Sequence, residues 1–466
     1  MAEAPSHDDL LSSPLSPLDW LMPRAYIRQM LCFPASPSAP ASPTANQNVL
    51  AESDIARTLQ DGLVGTTVQV PYLLSRVVSL THPHGAVGLS VPYQTAEDLF
   101  DVRDVSRDYN YTALKCAGFP PDVLGRGGFA PETSSSDEEP VFRARLSLVE
   151  GGFVLGVAIH HSTTDITGFG ALLKIWASNC RRLHNRPGNG NELPLLDAAM
   201  LDRAAVRDLG SGVPGSDIPS MIPPVLFFQD GEPIPKPAAV RPPSEFMTAI
   251  FYFSRTSLEQ LKVLAANRLP SVVADVSWVS TSDVLTALLW SAVVAAETPP
   301  PSPTSQNDAT SSSTISIPVN FRSRCEPPLS PDYLGAAFGR AAASAPIHEL
   351  MSMLASTNDH QQQEETGAEM LLVKTAATIH RSIRDQVSVQ SIRAAMAYTA
   401  AQPDITWVKR RPADGISMVS WADQGSARST GAHTLDGARP CGWGRWLGDG
   451  IPSSCRGWPM GDWISS

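Results

Sequence analysis

The sequence has 466 residues, of which 42% are hydrophobic and 17% are charged. At about 150 residues per domain, this length predicts two or three folding units, and the hydrophobic fraction excludes a globally disordered chain. The formal net charge of -11 would repel a phosphate backbone, so nucleic acid is not an expected partner.

The cysteines and the first residues indicate a cellular compartment. Six cysteines are scattered along the chain without a Cys-x-x-Cys pair, so we expect reduced thiols rather than a zinc or thiol-exchange site. Residues 1–19 carry Pro, Ser and acidic residues where a secretory signal has a basic start and an apolar stretch. No window approaches about 18 apolar residues. We expect a cytoplasmic protein that is not embedded in a membrane, and a monomer.

Segments rich in Pro and Ser divide the chain. Residues 34–43, 133–140 and 299–313 combine Pro, Ser and acidic residues without apolar periodicity, which predicts exposed loops. The longest such stretch, residues 186–245, has the composition of a crossover linker between two domains. The predicted boundaries are 1–205 for an N-terminal domain, 206–245 for the linker, 246–424 for a C-terminal domain and 425–466 for a tail.

Apolar periodicity predicts two strands and a helix in the first part. Apolar residues at 142, 144, 146 and 148 alternate with polar ones, which predicts a half-buried strand. Residues 150–152 (EGG) predict a turn into a second strand over 153–161. The apolar residues after that strand recur at helical spacing and predict one buried helix face: Phe169, Leu172, Leu173, Trp176 and Cys180.

Two more helices are predicted in the second part. Residues 280–283 offer N-capping side chains for a helix whose predicted apolar face comprises Leu285, Leu288, Leu289, Ala292 and Val293. Another helix is indicated by apolar residues at 372, 376, 379 and 383. Because strands and helices mix in both parts, we predict a mixed α/β or α+β fold.

Residues 158–170 (AIHHSTTDITGFG) hold the candidate chemistry. The larger apolar residues of the preceding strand share parity with His161, which predicts that His161 lies on the packed face and His160 on the opposite one. A carboxylate, Asp165, follows four residues later. An imidazole restrained in this way can stay neutral near pH 7, since its ordinary pKa is about 6.5, and a general base needs that.

Two other interpretations stay open on spacing alone. The two histidines and Asp165 could bind a metal, but adjacent strand residues diverge and no third or fourth ligand is evident, so we expect no metal site. The histidines could also serve structure alone, because a lone H-x-x-x-D occurs often by chance.

Four short motifs occur along the chain. Residues 15–19 read LSPLD, residues 160–165 read HHSTTD, residues 281–290 read TSDVLTALLW and residues 319–324 read VNFRSR. In this order they resemble the LSPLD, HHxxxD, T-x-D-x-L-x-A-L-x-W and VNxRxR motifs of the BAHD acyltransferases and their fungal relatives, the trichothecene 3-O-acetyltransferase-like enzymes. Both belong to the chloramphenicol-acetyltransferase-like superfamily. Each motif is short, and the shared order argues against chance.

The resemblance implies an enzyme that takes an acyl-CoA, with acetyl-CoA expected, as co-substrate and binds no permanent cofactor. His161 is the implied general base, which removes a proton from an alcohol or amine of a small specialised metabolite as that group attacks the thioester. Asp165 is implied to point away from the substrate and to pair with Arg322, which fixes the shape of the loop.

The resemblance also implies two similar domains with an active site in a tunnel between them, which CoA and the acceptor enter from opposite sides. Asn320 and Arg324 are expected to share strand parity with Arg322. They are therefore candidates for the substrate or CoA channel, together with His160.

The sequence departs from the family at two places. Ile166 follows the aspartate where many relatives carry Gly, and a β-branched residue there predicts a different or strained backbone. Residues 425–466 lack the family's DFGWG-like segment and any strand pattern, so the C-terminal domain is expected to be incomplete. Two rival functions follow: a non-catalytic binding protein of the same fold, and a condensation-type enzyme that uses carrier-bound thioesters.

Overall fold

The computed structural model describes residues 11–35, 46–133, 139–185, 193, 195–215, 217, 226–228, 250–298, 311–354, 361–410, 416–421 and 439–440. The helices are α1 (Pro17–Trp20), α2 (Asn46–Gln69), α3 (Tyr111–Cys116), α4 (Pro121–Arg126), α5 (Ile166–Asn185), α6 (Ala204–Arg207), α7 (Arg255–Val272), α8 (Thr281–Glu297), α9 (Ile347–Ser352), α10 (Gln361–Gln386) and α11 (Val389–Ala401). The strands are β1 (Leu11–Pro14), β2 (Tyr26–Pro34), β3 (Arg76–Ser79), β4 (Val87–Ser90), β5 (Phe100–Asp104), β6 (Glu139–Pro140), β7 (Phe142–Val149), β8 (Gly152–His160), β9 (Leu226–Phe228), β10 (Ser312–Asn320), β11 (Phe338–Pro346), β12 (Val408–Arg410), β13 (Ile416–Ser417) and β14 (Arg439–Pro440).

A five-stranded sheet with strand order β14-β2-β8-β7-β5 positions the segment that carries the two histidines. Strand β8 lies at its centre and pairs antiparallel with β2 and β7, in a register that places Ile159 opposite Ile27 and Phe142. Every residue of β8 is buried. The position of residue 160, at the end of this strand, is therefore fixed at the edge of a packed core.

Both faces of β8 are covered, which explains why burial does not alternate along it. Residues 153, 155, 157 and 159 pack in one core cluster with α2 and α5. On the other face, Val154 packs with residues of α3, α4 and Phe129. The parity of the larger apolar residues is as predicted from the sequence, but the second face is not open to water.

The described residues also form a four-stranded sheet and a two-stranded ribbon. Strands β1, β4, β3 and β6 form one sheet in that order, and β9 pairs with β12 in a two-stranded ribbon. The turn predicted at residues 150–152 joins β7 to β8, and Gly151 supplies its positive φ of 75°.

A second core lies in the C-terminal part. Strands β11, β10 and β13 form a sheet whose apolar residues cluster with those of α7, α8 and α10. Helix α8 begins as predicted, with a capping box between Ser280 and Asp283. The predicted buried faces of α5 and α10 are confirmed, since Phe169, Trp176 and Ile379 are at most 3% exposed.

The predicted face of α8 is wrong in part. Leu285 is buried as predicted and Leu288 packs against the core, but Ala292 and Val293 are exposed. The buried face also includes Val284, Ala287, Trp290 and Val294. The helix is apolar around most of its circumference, so spacing alone did not identify the buried side. The side chain of Trp290 marks the buried side of the helix, since it is fully buried and its indole N–H donates to Ser313 Oγ at 2.9 Å.

A third apolar cluster joins the two parts of the chain. Leu18 and Met22 from the N-terminal end pack with Phe321 and with Ile392 and Met396 of α11. Most of the predicted linker lies outside the described residues, and the domain boundaries stay a prediction. Within residues 425–466 only β14 is described, and it pairs with β2, contrary to the expectation of no strand there.

No helix in the described ranges combines the length and apolar character needed to cross a bilayer.

Replacing Gly156 with Ala tests the packing of β8. The added methyl group would collide with the carbonyl oxygen of Phe129, so we expect a loss of about 1–3 kcal/mol in the free energy of unfolding. The control is Gly125→Ala in α4, where nothing lies within 4 Å of the added carbon. Denaturant unfolding measures both variants, and equal stability of the two would contradict this packing.

The burial of the thiols predicts their reactivity. Cys32, Cys180 and Cys325 are buried and Cys116 is exposed, and burial raises the pKa of Cys180 to about 12 and that of Cys325 to about 11. Because the thiolate is the reactive form, a charged thiol reagent near pH 8 should modify native Cys116 and reach the other three only after denaturation. Peptide mass mapping checks this, and equal labelling of Cys180 and Cys116 would refute it.

Candidate active site

The loop after β8 begins with a buried histidine. His160 is 3% exposed, its Nδ1 accepts from the Ser162 N–H at 3.2 Å, and its ring packs edge-on against Tyr26 with centroids 5.3 Å apart. His160 thus caps the short 3-10 turn His161–Thr163. The channel role expected for this residue stays a prediction, and the structure gives its ring a capping contact.

His161 does not lie on the packed face of β8, and that prediction from strand parity is wrong. The strand ends at His160, and His161 is the partly buried first residue of the 3-10 turn. The His161 N–H donates to Ala25 O at 2.8 Å, and Nδ1 lies 3.0 Å from Thr164 O. Because a carbonyl oxygen only accepts, Nδ1 carries the proton and the basic lone pair is on Nε2.

The structure brings Asp165 and Arg322 together across 157 residues of sequence. Their contact is bidentate, with Nη1 to Oδ2 and Nη2 to Oδ1 both at 2.9 Å, and the two side chains are 6% and 3% exposed. The carboxylate also accepts from the N–H groups of Gly168 at 2.9 Å and Ala337 at 2.8 Å. Four donors thus hold the carboxylate in one orientation.

Arg322 also holds a second segment of the chain. Its Nη2 donates to Tyr333 O at 2.8 Å and to Gly335 O at 2.9 Å. One guanidinium thus joins the loop after β8 to the segment that precedes β11. The loop after β8 consequently lies where the N-terminal and C-terminal parts of the chain meet.

Ile166 needs no unusual backbone. It is the first residue of α5, and Phe119 is the sole described residue other than Gly with a positive φ. Asp165 Oδ1 accepts from the Gly168 N–H at 2.9 Å, as an N-capping side chain does. The chain therefore enters α5 directly at Ile166, and the backbone there is not strained.

Asn320 and Arg324 do not share a strand face with Arg322, and the expected parity is wrong. Strand β10 ends at Asn320, and residues 322–324 form a 3-10 turn. Asn320 Oδ1 accepts from the Arg322 N–H at 3.0 Å. Arg324 donates instead to Val387 O at 3.0 Å, just after the end of α10. Their channel roles stay predictions.

Two arginines that were not identified from the sequence contact the loop, and a third residue, Asp19, pairs with one of them. Arg203 donates to Thr163 O at 2.8 Å and to Asp19 Oδ2 at 3.0 Å. Arg24 donates to Ser162 Oγ at 2.8 Å. The LSPLD motif contains Asp19 and could have identified it, whereas Arg203 lies in a region without a motif.

An apolar cavity lies between α1, β11 and α11. Leu18, Phe321, Phe338 and Met396 are among its lining residues, and His161 is not. The tunnel that the resemblance implies therefore stays a prediction. Within the described ranges, no three His, Cys, Asp or Glu side chains are grouped so as to hold a metal ion.

The sequence matches two known families. Residues 126–421, more than half of the chain, match the Transferase family. Residues 26–180 match the Trichothecene 3-O-acetyltransferase-like N-terminal domain. The first range contains the loop after β8 and Arg322, and the second contains the central strands of the five-stranded sheet.

Individual relatives agree with these matches. The chain is 29% identical over 322 residues to O-acetyltransferase cpsE of Aspergillus campestris. This match covers 63% of this chain and 60% of that protein. The chain is 28% identical over 248 residues to trichothecene 3-O-acetyltransferase TRI101 of Fusarium sporotrichioides, which covers 51% and 50%. The chain thus spans about half to three fifths of the length of these curated relatives.

A solved structure shows the same fold. The crystal structure of F. graminearum TRI101 complexed with coenzyme A and deoxynivalenol superposes with a TM-score of 0.63 at 21% identity, covering 92% of this chain and 88% of that one. This likeness confirms the mixed helix and sheet fold predicted from the sequence. The match over more than half of the chain shows that the chain belongs to the Transferase family, and its residues 26–180 match the Trichothecene 3-O-acetyltransferase-like N-terminal domain.

Proposed function

We propose that this protein is an acyl-CoA-dependent O-acyltransferase that transfers an acetyl group to a hydroxyl of a small specialised metabolite. The observation that carries the proposal is the Nδ1 contact of His161 with Thr164 O at 3.0 Å, in a loop fixed between the two parts of the chain. The names of the curated relatives support acetyl transfer, and the complex of the related structure supports coenzyme A as the carrier.

In the proposed reaction, His161 Nε2 accepts the hydroxyl proton as the acceptor oxygen attacks the thioester carbonyl carbon. A carbon–oxygen bond forms and gives a tetrahedral intermediate. The carbon–sulfur bond then breaks, and the leaving CoA thiolate takes the proton back from the imidazolium. Acetyl-CoA is a co-substrate in this scheme, and no permanently bound cofactor takes part.

Asp165 and Arg322 have a supporting role in the proposal. Both carboxylate oxygens of Asp165 are engaged by Arg322 and by two backbone N–H groups, which supports a structural role for this side chain. His161 Nδ1 contacts a carbonyl oxygen, Thr164 O. Asp165 therefore fixes the loop and the start of α5 and does not take part in proton transfer.

The location and the assembly state remain predictions, namely a cytoplasmic enzyme that acts as a monomer.

Replacing His161 with Ala tests the proposed base. A positioned general base contributes about 100 to 10,000-fold in rate, so we expect His161→Ala to lose at least about 100-fold in kcat while the fold is kept. The assay incubates purified protein with acetyl-CoA and a panel of alcohols and follows the release of free CoA with a thiol reagent. A blank that contains the enzyme alone corrects for the reaction of the reagent with the exposed Cys116. The control is His348→Ala, which removes an exposed imidazole of α9.

Near-full turnover by a folded His161→Ala protein would remove the mechanism. Absence of turnover by the wild-type protein, together with saturable binding of acetyl-CoA, would favour the non-catalytic binding protein.

Replacing Asp165 with Asn tests the supporting role. Because the change leaves a buried guanidinium without its counter-ion, we expect a loss of about 3–5 kcal/mol in the free energy of unfolding. The control is Asp332→Asn, which removes an exposed ion pair between Asp332 and Lys174 of α5 and should cost about 1 kcal/mol or less. Denaturant unfolding measures both, and equal losses would contradict the assigned role.

A further inference from the structure

A second buried carboxylate lies close to the loop after β8 and has no part in the proposed reaction. Asp19 is fully buried. Its Oδ2 accepts from Ser16 N–H at 2.9 Å and from Ser16 Oγ at 2.8 Å, and its Oδ1 accepts from the Ala336 N–H at 3.2 Å. These contacts fix α1 against the segment before β11.

Arg203 connects this carboxylate to the loop. The Arg203 side chain is 8% exposed, and Nη1 lies 3.0 Å from Asp19 Oδ2. The other terminal nitrogen, Nη2, donates to Thr163 O at 2.8 Å. The planar fork of one guanidinium therefore spans a fixed carboxylate and one backbone carbonyl of the loop.

The surroundings of Arg203 keep its guanidinium charged. Burial is the largest single influence on the pKa of Arg203 and lowers it, but Asp19, Tyr333 and Tyr72 together raise that pKa above its ordinary value. Two phenols, Tyr72 and Tyr333, lie in the same region, and burial raises the pKa of each, so both stay neutral. Asp19 is therefore the carboxylate that neutralises Arg203.

The carbonyl that Arg203 holds is directly linked to the His161 contact. Thr163 O belongs to the planar peptide unit whose other end is the Thr164 N–H, and that N–H lies 3.4 Å from His161 O. The next carbonyl along the chain, Thr164 O, is the acceptor of His161 Nδ1. The two peptide planes meet at Thr164 Cα, so the first plane fixes one end of the residue whose φ and ψ angles direct the second carbonyl.

We propose that Arg203, anchored by Asp19, is a positioning residue for His161: it fixes the 163–164 peptide so that Thr164 O holds the imidazole with its lone pair on Nε2. This inference rests on the proposed function. Without Arg203, the 163–164 peptide can rotate, the Nδ1 contact lengthens, and the ring populates both neutral tautomers. A misplacement of about 1 Å at a reacting group costs on the order of 100-fold in rate.

The test compares Arg203→Met and Arg203→Lys with a matched control. Lysine keeps a charge for Asp19 but lacks the fork that spans both acceptors. The control is Arg393→Met, because Arg393 holds the adjoining segment through Leu209 O and Ser211 O, both at 3.1 Å, without touching the loop. We expect both Arg203 variants to lose about 10 to 100-fold in kcat with KM for acetyl-CoA within about twofold, and Arg393→Met to keep kcat.

A spectroscopic measurement distinguishes a role of Arg203 in positioning the His161 ring from a role in stability alone. In protein labelled with ¹⁵N-histidine, the His161 signals are assigned by their loss in His161→Ala. The wild-type protein should show the tautomer protonated at Nδ1, and the Arg203 variants should show a mixture. A folded Arg203 variant with wild-type kcat and an unchanged His161 spectrum would overturn the proposal.

Two further outcomes are decided by the same measurements. If Arg203→Met does not fold, Arg203→Lys gives the answer. If the wild-type protein turns over none of the acceptors, the proposed function fails, and the His161 spectrum still decides the positioning: a changed tautomer in the Arg203 variants supports it, and an unchanged one overturns it.

Discussion

Removing a carboxylate and a guanidinium from water costs several kcal/mol for each ion, and a buried pair is tolerated only when its geometry and hydrogen bonds compensate. Asp165 and Arg322 meet this condition, because the carboxylate accepts two guanidinium and two backbone donors and the guanidinium reaches two further carbonyls. The loop after β8 can move only if these ions lose partners in a dry environment. The position of His161 depends on this constraint.

The fold supplies the constraint from both sides. Strand β8 is buried on both faces and ends at His160, at the edge of the core. Helix α5 begins at the residue after Asp165. The intervening loop is therefore short and fixed at each end by regular structure. Arg203 and Arg322 contact it at two separate points, so the loop is held along its length.

Much of this arrangement could be predicted from local sequence. The alternation along β7, the helical spacing of Phe169, Trp176 and Ile379 and the capping box at Ser280 are local signals, and each identified its element. Local sequence patterns gave wrong predictions where contacts with distant parts of the chain decide which side chains are buried. The apolar circumference of α8 concealed its buried face, and the ends of β8 and β10 at His160 and Asn320 changed the direction of the residues that follow. Arg203 has no motif around it, because its partners lie at positions 19 and 163.

The long-range character of these contacts has a consequence for how the molecule forms. Asp165 meets Arg322 at a separation of 157 residues, and Asp19 meets Ala336 at a separation of 317. Contacts that close such long loops are slow to form, because the chain entropy must be lost before they stabilise anything. During synthesis, the N-terminal strands can pair while the segment around residue 336 is still inside the ribosome. The contacts that fix the His161 loop and its supports can therefore be complete only after residue 336 has been synthesised.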